Sequence, residues 1–125
     1  MLNYAQAELR NVLPLAARTT SQVMTPAIVN IGGWRGIRLK IHVPTQTTSA
    51  SNVFTVYEQD EAGNKYTLGA SSAITGQGDT MLTIYPGLSA AATTINNVLG
   101  RLFSVDVVAG NANPMTYALS IELLP

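Results

Sequence analysis

Residues 37–43 read IRLKIHV, and their alternation decides the fold class. Ile37, Leu39, Ile41 and Val43 fall on one side of an extended chain, with Arg38, Lys40 and His42 on the other. Strand side chains point alternately to opposite faces, so this is a strand with one buried face and one wet face. Pro44 stops it, because proline cannot donate to a ladder.

Period two recurs outward from there. VFTVYEQD (53–60) and KYTLGASSA (65–73) flank EAGN (61–64). Gly63 and Asn64 tolerate the positive φ of a tight turn, so the three segments read as a hairpin. DTMLTIY (79–85) is another strand, ended by Pro86-Gly87. LFSVDVV (102–108) places Phe103, Val105 and Val107 on one side, and GNANP (110–114) is a turn. MTYALSIELL (115–124) then aligns Tyr117, Leu119, Ile121 and Leu123. Upstream, VLPLAAR (12–18) and VMTPAIV (23–29) are weaker strand candidates, and the Thr/Ser-rich run 45–52 is a loop. There is little convincing helix, with room for one only near residues 3–10 or within 88–98. About seven or eight strands between turn-rich segments predict an all-β protein, an antiparallel β-sandwich that is Ig-like or jelly-roll-like. The expected organisation is an N-terminal arm at 1–12 and one sandwich domain at 13–125.

Composition fits that class. The 125 residues suffice for one domain with a real core. Apolar residues are 46% and charged residues only 11%, against about a quarter in ordinary domains. Seven acidic residues balance seven basic ones, so no long-range field draws in nucleic acid or an anionic membrane. Neither is expected as a partner. The absence of cysteine excludes disulfides and thiolate metal sites. MLNYAQAELR lacks the features of a secretory signal, and no apolar run approaches the roughly 20 residues of a membrane span. Folding in a cytoplasm is expected. Few charges and abundant Thr, Ser, Asn and Gln suit a neutral polar surface or one hidden in an assembly, with little repulsion between copies.

No set of residues makes a case for catalysis. His42 lies on the polar face of its strand beside Arg38 and Lys40, and a lone histidine needs a positioned partner. Glu58, Asp60, Glu61 and Asn64 offer oxygens around a turn, but their spacing is not that of an EF-hand. Arg35, Arg38 and Lys40 near Trp34 make a short basic stripe of a kind that can bind single strands. On a net-neutral chain it reads instead as a solvated face or a protein interface. IGGWRG (31–36) is not a dinucleotide fingerprint, and its glycines suit a turn or bulge. Trp34 is either a core residue or an interface anchor. No catalytic residue, metal site or cofactor is expected. YPGLSAAATTINNVLGR (85–101) is too long for a simple turn and almost without charge. It reads as a crossing between parts of the sandwich that tolerates burial against a neighbour.

Several segments, in order, resemble a family of small proteins encoded among the structural genes of tailed bacteriophages. They are LPLAARTTS (13–21), WRGIRLKIHV (34–43), VYEQDEAGNKYTLGASSAIT (56–75), the TIYPGL and SAA of 83–91, and LGRLFSVDVVAGNANPMTYALSIEL (99–123). The sequence departs from that pattern at Asn64, which interrupts Gly-Lys-Tyr, and at the Leu-Gly before Arg101. The resemblance implies a virion structural protein, foremost a head decoration (cement) protein on the capsid exterior. A tail- or neck-associated protein is the alternative within that class, and a glycan- or receptor-binding sandwich the alternative outside it. The implied partners are the major capsid protein and further copies of the chain, with a trimer favoured. The expected contacts are Leu2, Tyr4 and Leu9 on the arm, Trp34 and Arg35, and Pro86, Leu88 and Ile95 on the 86–98 connection.

Overall fold

A computed structural model describes residues 8–24 and 27–125. Among these residues nine strands occur: β1 (Glu8–Arg18), β2 (Ile28–Val29), β3 (Gly36–Val43), β4 (Asn52–Gln59), β5 (Lys65–Ala70), β6 (Gly78–Ile84), β7 (Thr94–Ile95), β8 (Leu102–Ala109) and β9 (Met115–Leu124). One sheet has the order β1-β9-β3-β6-β7, the other β2-β8-β4-β5.

The pairings are nested. β1 pairs with β9, β2 with β8, β3 with β6 and β4 with β5, all antiparallel. With the two-residue β7 set aside, the chain is one long hairpin whose tip is β4–β5. It is rolled so that β9 also meets β3, and β8 also meets β4. This strand order is a jelly roll, two Greek keys in facing sheets, and it selects that architecture over the Ig-like one.

Alternation builds the interior. β3 buries Ile37, Leu39, Ile41 and Val43, and β9 buries every second residue from Met115 to Leu123. Phe54 and Val56 of β4, with Phe103, Val105 and Val107 of β8, fill the gap from the other sheet. The Phe54 and Tyr117 rings meet edge to face across it, with centroids 5.3 Å apart. Each such side chain contributes about 1.5–3 kcal/mol by leaving water.

Four expectations need correction. First, residues 8–12 of the expected arm belong to β1, while residues 1–7 lie outside the described residues. β1 is an edge strand with Pro14 inside it and register shifts on either side of Leu13, which blurs its period. Second, the candidate strand at 23–29 shrinks to Ile28–Val29. Third, the room left for helix at 8–10 and 88–98 is taken by strand β1 and by turns around β7. Thr93, Thr94 and Ile95 are β-branched and disfavour helix, and β7 adds beside β6 in a parallel pairing, a local exception to the antiparallel plan. Fourth, Ser104 and Asp106 are buried although they lie opposite the apolar face of β8. Gln59 Nε2 donates to Ser104 Oγ at 3.2 Å. The Met24 N–H and Lys65 Nζ donate to Asp106 at 3.1 and 2.5 Å.

Candidate assembly surface

The nested pairings collect the connections at two ends of the sandwich. At one end lie residues 30–35, 60–64 and 85–101, together with Glu8 and Pro125. The Glu8↔Leu123, Gly36↔Leu124 and Ile84↔Ile95 registers place them there. The Arg35 N–H donates to Leu124 O at 2.8 Å, the Leu99 N–H to Arg35 O at 2.8 Å, and the Tyr85 hydroxyl to Pro125 O at 2.5 Å. At the opposite end lie residues 19–24, 44–51, 71–77 and 110–114. There the Asn111 and Asn113 amides donate to Ser49 O at 2.7 and 3.1 Å, Gln77 Nε2 donates to Pro44 O at 2.9 Å, and Thr47 Oγ1 donates to Thr75 O at 2.7 Å.

Most of the expected contact residues with described positions gather at the first end. Leu9 is exposed on β1. Trp34 is half-buried against the core, with the Arg10 guanidinium 5.7 Å from its ring centroid, so it is both core residue and rim. Arg35 is exposed and lies 5.7 Å from the Tyr85 ring centroid. Such cation–π contacts contribute about 0.5–1 kcal/mol at exposed sites. Pro86 and Leu88 are half-buried. Leu2 and Tyr4 lie outside the described residues.

Ile95 takes a different place from the one expected. It is half-buried and packs against the core. Its side chain covers Gly69 on β5 in the other sheet, where a Cβ would collide with both Ile95 and Ile84. Asn97 Nδ2 donates to Leu68 O at 3.2 Å beside it. The 85–101 connection therefore closes the open side of the sandwich between β6 and β5. Ser89 to Thr93 remain on its outside, all small, neutral and exposed.

The outer face of the five-stranded sheet carries the basic stripe, with its partners set by register. Arg38 stands between Glu122 and Thr83, Lys40 between Ser120 and Met81, and His42 between Ala118 and Asp79. Arg38 Nη1 reaches Glu122 Oε1 at 3.2 Å and Lys40 Nζ reaches it at 3.7 Å. His42 Nδ1 and Asp79 Oδ1 are 2.5 Å apart on an exposed surface, beside a shallow concavity of about 470 Å³. Asp79 is the partner that single-strand reading missed. Only the Val43↔Gly78 register brings the two together, and the flanking Pro44 and Gly78 are the signal that could have paired the strand ends.

The acidic turn is held by its own chain. Asp60 accepts from the Ala62 and Asn64 N–H groups at 2.9 Å each, from Asn64 Nδ2 at 2.8 Å and from the Tyr66 hydroxyl at 3.2 Å. The Asn64 bonds foremost hold its carboxyl below the usual carboxylate range, and the bond to Asp60 raises the Tyr66 hydroxyl. Gly63, at φ 88°, supplies the left-handed position this turn requires. The Asp60 oxygens thus serve the geometry of the turn.

No protein-family model matches the chain, and no curated protein matches it. Among solved structures, a structure of infectious bursal disease virus, Gx strain, contains a chain with 10% identity and a TM-score of 0.48, covering 95% of this chain and 33% of that one. A structure of the Gt strain gives 10% identity and a TM-score of 0.38, covering 95% and 30%. This chain spans about a third of the length of either. The jelly-roll assignment comes from the strand pairings above.

Proposed function

We propose that this chain is a virion structural protein, a head decoration (cement) subunit that binds the capsid exterior and stabilises the shell by non-covalent contacts. Its partners in this reading are the major capsid protein and its own copies, with a trimer favoured. It performs no chemistry: it bridges neighbouring subunits.

The observation that carries the reading is a jelly roll whose interior is filled by its own side chains. Phe54, Phe103, Tyr117 and the aliphatic residues around them are almost wholly buried, so the chain meets partners with its outer surface. Jelly rolls serve as viral capsid domains and also as lectin and cupin domains, so fold alone does not choose among these. The ordered resemblance of residues 13–21, 34–43, 56–75, 83–91 and 99–123 to phage structural proteins favours the virion. Eleven per cent charged residues fit a protein packed among many neighbours.

Cosedimentation of the purified chain with phage heads that lack it tests the proposal. Saturable binding to the outside of intact heads, with greater resistance to heat or chelator, is the expected result. Recovery of the chain in the supernatant at all concentrations would overturn it.

A further inference from the structure

We infer that the free edge of β6 at residues 78–82 is a strand-addition site, where an extended segment of a capsid subunit pairs its backbone with this chain. The inference rests on the virion reading and names one contact by which the chain meets the shell.

The first observation is hydrogen bonding. β6 pairs with β3 along its whole length, but with β7 only at Thr83 and Ile84. The Thr83 N–H donates to Thr93 O at 2.9 Å and the Tyr85 N–H to Ile95 O at 3.0 Å. Odd-numbered residues therefore turn their backbone N–H and C=O groups away from β3, because these groups alternate along a strand. Asp79 and Met81 continue that alternation, and among the described residues no backbone group meets theirs on that side. Both residues are exposed. The Asp79 carboxylate turns back to His42 on β3 and not outward across the edge.

The second observation is how the other edges differ. β1 carries Pro14 and register shifts on both sides of Leu13, and β2 has two residues. β5 is taken at Leu68 by the Asn97 amide and covered at Gly69 by Ile95. Proline, bulges, short strands and covering loops are devices that keep edges from pairing. From 78 to 82, β6 has none of them, and its register with β3 runs without a shift.

The occupant follows from this geometry. Outward N–H and C=O groups repeating about every 6.8 Å match another extended backbone. A strand edge pairs with itself only across a two-fold axis, which the favoured trimer lacks. The other edges of a neighbouring copy are closed as described. Five residues also span only about 17 Å, a strip well short of the roughly 800 Å² per partner that holds a free dimer. A shell subunit already engaged elsewhere on the chain can add so short a strip, because the second contact is then intramolecular.

Residue-level deuterium exchange, on the chain free and bound to phage heads that lack it, tests this. In the free chain the Asp79 and Met81 amides should exchange at close to unprotected rates, while those of Thr80 and Leu82, which face β3, stay protected. On heads the Asp79 and Met81 amides should slow about 100-fold. Met81→Pro removes one outward donor without touching the β3 ladder, so it should weaken binding to heads about 10-fold and unfold within a few degrees of wild type. Binding in which both amides still exchange freely would overturn the inference and leave the proposed function standing. Full-strength binding by a folded Met81→Pro chain would do the same. Protection that arises in the free chain on concentration alone would give the edge to a second copy and so sink the capsid occupant. A chain that never binds heads would overturn the proposed function and this inference with it.

Discussion

Tyr117 shows how much one side chain has to satisfy in a core this thin. Its ring is fully buried and packs edge to face on Phe54, while the Arg18 guanidinium lies 4.7 Å from the ring centroid. Its hydroxyl makes no hydrogen bond among the described residues. Burial pushes the phenol's pKa up, and the Arg18 charge works against that rise. A buried hydroxyl without a partner costs about 1–3 kcal/mol. Tyr117→Phe keeps the ring contact and removes that cost, so thermal unfolding should be unchanged or move up by a few degrees. A fall equivalent to more than about 1 kcal/mol would mean that Arg18 bonds the hydroxyl in solution. The alternation in 115–124 already placed Tyr117 inside. The position of Arg18 was not legible, because it depends on a pairing across 99 residues.

The 85–101 connection and the 60–64 turn show what sequence reveals about elements and what it hides. A hairpin at EAGN was legible because its chemistry is local: Gly63 supplies the φ, and Asp60 takes up the free N–H groups. Asp60 has a depressed pKa in the folded state, so its contribution is present above its unfolded value of about 3.9 and is lost as pH falls through the folded value. Amide exchange at Ala62 and Asn64 should therefore accelerate as pH drops below about 4, after correction for intrinsic rates. Asp60→Asn should flatten that response, and equal protection at both pH values would contradict it. The 85–101 segment was hidden because its order comes from the opposite sheet. Gly69 leaves the space that Ile95 fills, and no local period announces that fit. Ile95→Ala should cost about 2 kcal/mol in chemical denaturation, the low end for Ile truncation because the side chain is only half-buried. A change within about 0.5 kcal/mol would show that the connection does not brace the sheets.

At the scale of the whole molecule, strand faces were legible and strand order was not. IRLKIHV declared its buried side without any knowledge of neighbours. That β3 lies between β9 and β6 follows from the rolled hairpin, which no single strand encodes. The expected surface residues behaved similarly. Trp34, Arg35 and Leu9 converge because β1, β3 and β9 share an end, whereas Ile95 turned inward to close the sheets. The sandwich interior is filled by the chain's own side chains. A cryo-EM map of the virion purified from the host that makes this chain tests the virion role most directly. The expected result is density for this jelly roll in repeated copies on the outside of the head. A map that accounts for every head protein without this chain would contradict the account.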